Sequence, residues 1–191
     1  GRTTTDELQS TKLDSNGNLI SVGTNQIGRY SLHLHHMWGT ERQMPQNLNP
    51  DQIRSWLEAN GFQYEVVGNV VKSSDNVERK FKWGITVHAS HFGKVAHNVI
   101  YNVAGAGIQT EDATESYNLL TNNFAARIPG EGKERIPHPD PDSDQASDIG
   151  KDGSGYWFRG PHNWVENNIA ADAEFSGVYY NGYYLKLLKL P

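Results

Sequence analysis

The chain has no cysteine among its 191 residues. Disulfide scaffolds and thiolate zinc sites are therefore excluded, while the compartment stays open, because exported proteins can also lack cysteine. No apolar run approaches the ~18 residues that a membrane-crossing helix needs, so no membrane span is expected. An excess of positive charge is missing too: 17 Lys and Arg stand against 22 Asp and Glu, for a formal net charge of -5. A dedicated nucleic-acid binder shows the opposite balance, so nucleic acid is not expected as a partner. No secretory leader pattern opens the chain; beginning Gly1-Arg2, it reads as processed or as a segment of a larger protein. Its length suits a single domain over residues 1–191 with a sizeable core.

What is present is glycine, in 19 copies, with asparagine and short Val-, Ile- and Tyr-rich runs, a composition of β structure with frequent turns. Two repeats organise it. The first sets an asparagine between apolar stretches: EVVGNVVKSS from Glu65, KVAHNVIYNV from Lys94, NLLTNNFAAR from Asn118 and NWVENNIAAD from Asn163. This aligns Asn69, Asn98, Asn122 and Asn167. The second is a glycine leading a short strand: GITVHAS from Gly84, GIQTEDA from Gly107, GYWFRGP from Gly155 and GVYYNGY from Gly177. Uninterrupted, the second repeat returns about every 22 residues, the signature of stacked coils. The spacing predicts an all-β right-handed parallel β-helix, its coils about 4.8 Å apart and its turn asparagines bonded along the stack.

Two insertions break the period, over about 39–62 and 129–154. In the first, NPDQIRSWLEANG over 49–61 predicts a short helix, with Asn49 as cap, Pro50 as first helical residue and Gly61 as terminator. Ile53, Trp56 and Leu57 share the face that docks on the coils. The second is a long acidic loop. Asp140, Asp142 and Asp144 alternate as in calcium loops, but Gln145 stands where an EF-hand has glycine and no glutamate closes the motif. The C-terminal LKLLKLP reads as a further coil or a cap.

Strand alternation places Ile85 with Val87, Ile108 with Thr110, Tyr156 with Phe158, and Val178 with Tyr180 inside. Leu32 and Leu34 are the apolar pair of RYSLHLHH, which leaves His33 and His35 outside. Stacking then gives two outward columns. One is His35, His88, Glu111, Arg159 and Asn181; the other is His33, Thr86, Gln109, Trp157 and Tyr179. The first offers a base, an acid and a cation for a substrate carboxylate, and the aromatics offer stacking faces for sugar rings. His35, His88, Glu111 and Arg159 are the candidate catalytic residues; His33, Gln109, Trp157, Tyr179 and Asn181 are the candidate substrate-binding ones. His36 and His91 fall at strand ends and suit turn hydrogen bonds. His97, in the asparagine turn, and His138 and His162, in loops, read as structural.

Three stretches resemble the parallel β-helix region of the cell-surface hyaluronidase / cell-migration-inducing hyaluronan-binding protein family and its bacterial relatives. GRYSLHLHH from Gly28 matches a Gly-Arg-Tyr-Pro-x-His-Phe-His stretch, and GITVHAS matches Gly-x-x-Val-His-Gly. GAGIQTEDATE from Gly105 matches Gly-His-x-x-x-x-Glu-Asp-Gly-x-Glu, with Ala106 and Ala113 in place of the His and the later Gly. The resemblance covers roughly residues 25–125 best. It implies an extracellular or cell-surface protein that binds or cleaves an acidic polysaccharide, with calcium admitted as a cofactor, and it singles out His33, His35, His88, Glu111 and Asp112.

Three functions follow as expectations. A polysaccharide lyase or hyaluronidase-like enzyme would use Arg159 or a metal against the uronate carboxylate, and His88 or His35 as base. Glu111 and Asp112, adjacent on a strand, are expected on opposite faces and so not to form a hydrolase pair. A non-catalytic carbohydrate-binding, adhesive or structural β-helix is the alternative. A transition metal held by His35, His88 and Glu111 is the third. Uncapped coils could also stack end to end, since open sheet edges invite pairing.

Overall fold

The computed structural model describes residues 12–16, 19–21, 30–37, 44–73, 83–130, 153–160 and 162–180. A short antiparallel pair, β1 (Lys12–Leu13) and β2 (Leu19–Ser21), comes first. The later strands form three parallel sheets that the chain visits in rotation. β3 (Tyr30–His35), β4 (Glu65–Val67) and β5 (Val70–Lys72) make one coil; β6 (Trp83–His88), β7 (Lys94–Ala96) and β8 (Val99–Tyr101) make the next. β9 (Ile108–Thr110), β10 (Ser116–Thr121) and β11 (Phe124–Ile128) follow, then β12 (Ser154–Phe158), β13 (His162–Glu166), β14 (Ile169–Ala173) and a last strand, β15 (Ser176–Tyr180). The sheet orders are β15-β12-β9-β6-β3, β13-β10-β7-β4 and β14-β11-β8-β5, so each strand pairs with its counterpart one coil away. That topology is a parallel β-helix. Where no insertion intervenes, stacked positions such as His88 and Glu111, or Asn98 and Asn123, are 23 and 25 residues apart.

Alternation builds the core. Ile85, Val87, Ile108, Tyr156 and Phe158 meet Val95, Ile100, Leu120 and Ala125 from the other sheets inside the coils. Val178 and Tyr180, expected inside, are instead about half exposed, because β15 is an edge strand with no described coil beyond it. The strand-leading glycines answer to crowding between rungs: a Cβ on Gly84 would lie 2.1 Å from the Gly107 carbonyl oxygen, and one on Gly107 would lie 2.5 Å from that of Gly155.

The asparagine ladder is shifted from the expected alignment. Asn98 Oδ1 accepts from Asn69 N and Nδ2, Asn123 Oδ1 from Asn98 N and Nδ2, and Asn168 Oδ1 from Asn123 N and Nδ2. Asn122 and Asn167 occupy the preceding position instead, with φ of 53° and 55°, as do His97 at 56° and Gly68 at 71°. In each Asn-Asn pair the first takes the left-handed turn, which asparagine tolerates, and the second satisfies the buried amides. A second ladder joins Asn118 to Asn163, with Tyr64 and Gly93 N donating to Asn118 Oδ1.

Helix α1 (Pro50–Asn60) forms where its caps are written. Asn49 accepts from Gln52 N, Gln52 reaches back to Asn49 N, and Gly61 N donates to Leu57 O. Ile53 and Leu57 pack on Phe62 and Leu119, with Trp56 alongside, and Arg54 bonds Glu166 of β13. The acidic loop, His138 and the C-terminal LKLLKLP lie outside the described residues. His162 begins β13 rather than lying in a loop.

Candidate functional site

The site lies where β3, β6 and β9 end side by side. Backbone pairing sets His35 opposite His88 and Val87 opposite Thr110, so Glu111 follows beside His88. Glu111 N donates to Val87 O at 3.0 Å, which extends the rung to that residue. Ser90 staples the strand ends: its hydroxyl accepts from Met37 N, and its single proton is shared between Leu34 O and His88 O. Glu115 fixes the turns behind. One of its carboxylate oxygens accepts from both Ala89 N and Asp112 N, each at 2.9 Å. Burial pushes that carboxyl above the usual carboxylate range, against the pull of those bonds.

On this frame His88 stands between two carboxylates. Its Nδ1 is 2.8 Å from Glu111 Oε2, and its Nε2 is 3.0 Å from Asp112 Oδ2. An imidazole can donate to two carboxylates at once only with a proton on each nitrogen. Glu111 is buried and also accepts a bond from the Tyr30 hydroxyl, whereas Asp112 is exposed. Burial and the Glu111 charge raise the Tyr30 phenol far above its ordinary value, so it stays a donor.

Three more imidazoles surround His88. Ring centroids lie 4.5 Å from His35, 5.5 Å from His33 and 5.4 Å from His36, and His35 and His36 are 4.1 Å apart. His36 falls at the strand end, where a turn hydrogen bond rather than a place in the site is expected. Its N does bond His88 O, but its left-handed backbone (φ 54°) brings the ring back onto the cluster. His33, His35 and His36 are exposed. Desolvation first, and neighbouring imidazoles with it, hold His33 and His35 below the ordinary histidine value.

The rest of the two columns keeps its register but not its exposure. Thr86 pairs with Gln109, Gln109 with Trp157, and Trp157 with Tyr179. Gln109 and Trp157 are nonetheless buried, and Tyr179 is partly so; Trp83, Ala106 and Trp157 form a second apolar layer with Tyr30 and Tyr179 packed on it. Trp157 thus offers no open stacking face, and Gln109 no open hydrogen-bonding one. Arg159 is buried as well, its guanidinium 4.5 Å from the Trp157 ring centroid and its Nη1 donating to Glu111 O. It braces the site and is not presented to a substrate carboxylate. Asn181 lies outside the described residues.

Two further expectations change. Asp112 does not point away from Glu111; it follows β9, where strand alternation has ended, and both carboxylates converge on His88. The expected metal set of His35, His88 and Glu111 gives way to His33, His35 and His88, which bring one ligand atom each within 4.8 Å of one another. Glu111 is committed to Tyr30 and His88 instead. Calcium seeks oxygen donors, which this nitrogen set does not provide. Tyr30 and Glu115 were not singled out from sequence, although each stands in a quoted motif, GRY and EDATE.

A family model described as CEMIP beta-helix matches residues 8–183. Fibrocystin-L of Mus musculus is 24% identical over 107 residues, covering 54% of this chain and 2% of that relative's length. No solved structure matches.

Proposed function

The chain belongs to the CEMIP β-helix family, and from that premise we propose that it acts on an acidic, uronate-containing polysaccharide outside the cell or at its surface. The observation that carries this reading is the exposed face formed by His33, His35 and His36 beside a His88 held between two carboxylates. Such a face combines groups that take and give protons with groups able to carry positive charge towards an anionic sugar. Among the described residues no helix is long and apolar enough to cross a membrane.

The chemistry favoured is β-elimination. An imidazole of the cluster takes the proton from the carbon bearing the uronate carboxylate. A carbon–carbon double bond forms as the neighbouring carbon–oxygen bond breaks, and the leaving oxygen gains a proton from a second imidazole. Two-carboxylate hydrolysis fits less well, because Glu111 is buried and both it and Asp112 are committed to one ring rather than flanking a groove.

The test is incubation with hyaluronan and other uronate polysaccharides, following absorbance from unsaturated ends, chain length and binding. Wild type should generate absorbance, and His35→Ala and His88→Ala should lose it. Shortening without absorbance would refute elimination. Binding without shortening, unchanged in His88→Ala, would leave a non-catalytic carbohydrate-binding β-helix.

A further inference from the structure

His33 and His35 stand on one face of β3, and His88 is the cross-strand partner of His35 on β6. One ligand atom from each lies within 4.8 Å of the others. A tetrahedral ion with metal–nitrogen bonds of about 2.0–2.1 Å needs its donors about 3.4 Å apart. Modest rotation of the exposed His33 and His35 rings closes that difference. We propose that His33, His35 and His88 bind a divalent transition ion, zinc by the number and type of donors, with one position left open.

The carboxylates beside the cluster supply an independent argument. Glu111, buried and fixed by Tyr30, holds Nδ1 of His88 at 2.8 Å. A carboxylate on the far nitrogen of a ligating imidazole orients the ring and raises its basicity, an arrangement that recurs around protein-bound zinc. It leaves Nε2 as the metal-facing nitrogen of His88. That nitrogen now contacts Asp112, which is exposed and can give way to the ion. Tyr30 then sits behind Glu111 as a third layer of the same relay.

The role of the ion rests on the polysaccharide reading. It takes the uronate carboxylate, supplying the cation that buried Arg159 does not present. His36, outside the donor set and with its ring 4.1 Å from that of His35, is then the base, and in place of a second imidazole it returns the proton it has taken to the leaving oxygen.

The binding test needs no substrate. The metal-free full chain is titrated with Co(II), which reports tetrahedral coordination by its visible absorption, and the Co(II) is then displaced by Zn(II). One equivalent should bind. His33→Ala and His35→Ala should abolish the tetrahedral spectrum, and Glu111→Gln should weaken binding about 10–100-fold. Circular dichroism confirms that each variant is folded; the two histidines are exposed, so their removal leaves the core intact. No tetrahedral spectrum with wild type, or unchanged affinity in His35→Ala, overturns the site. One equivalent bound while neither hyaluronan nor any other uronate polysaccharide tested is bound or cleaved supports the site and sinks only the polysaccharide reading. Equal cleavage by chelator-stripped and zinc-loaded protein overturns the ion's catalytic role.

Discussion

Asn122 and Asn123 are neighbours of identical chemistry, and replacing each by alanine should give very different costs. Asn123 is buried; its Oδ1 accepts from Asn98 N at 3.0 Å and Asn98 Nδ2 at 2.9 Å. Its Nδ2 donates to Val95 O and Asn168 Oδ1, both at 2.9 Å. Asn123→Ala removes all four bonds and strips partners from buried groups on the coils either side. Each buried group left unsatisfied costs about 1–3 kcal/mol, and the side-chain ends of Asn98 and Asn168 can partly reorient, so the net loss should be about 3–5 kcal/mol. Asn122 is exposed, with φ of 53° and a side-chain bond to Thr121 Oγ1. Alanine there meets chiefly the left-handed backbone penalty, about 1 kcal/mol, and glycine relieves it. Urea unfolding of wild type, Asn122→Ala, Asn122→Gly and Asn123→Ala, compared by midpoint at a common slope, reads these costs directly. If Asn122→Ala were as costly as Asn123→Ala, or costlier, the ladder would not run through Asn123 and the argument would fail.

Ala89 and Ala113 adopt φ of 43° and 68° in the turns behind His88 and Asp112. Glycine at either should stabilise by about 0.5–1 kcal/mol, read as a higher melting temperature, and a lower one would refute the strain. Glu115 provides a pH test with a definite sign. Because burial raises its folded-state pKa, the native protein loses stability as pH rises through that value, and the loss is absent where both states are protonated. Relative to wild type, Glu115→Gln should therefore become progressively more stable from about pH 4 to pH 8, and a pH-independent difference would exclude a raised carboxyl. Leu57→Ala, at a fully buried helix position, should cost about 2–5 kcal/mol in the same urea assay, whereas a loss under 1 kcal/mol would mean that α1 is not docked through that side chain.

The coil architecture was legible because it repeats. Alternation named Ile85, Val87, Ile108, Tyr156 and Phe158 as core, and the glycine-led strands mark a crowding that each coil meets again. The caps of α1 were equally plain, since Asn49, Pro50 and Gly61 act within a few residues of one another. The doubled asparagines were less so. Sequence alignment took the first member of each pair, because which asparagine bends and which bonds is set by backbone angles that neither residue type dictates alone.

The site divides the same way. Sequence by itself determined which residues stack: His35 beside His88, Thr86 beside Gln109, Gln109 beside Trp157, since strand register follows from period and alternation. It could not determine exposure, because an outward residue is open only if nothing packs over it, and Trp83, Trp157 and Tyr179 build a second apolar layer there. Nor could it determine what happens past the strand ends. His36 and Asp112 leave the two-residue alternation, and turns held by Ser90 and Glu115 bring both back to His88. Alternation is a property of extended backbone, so its forecasts stop where the strand does; beyond that point only the tertiary structure decided which side chains meet.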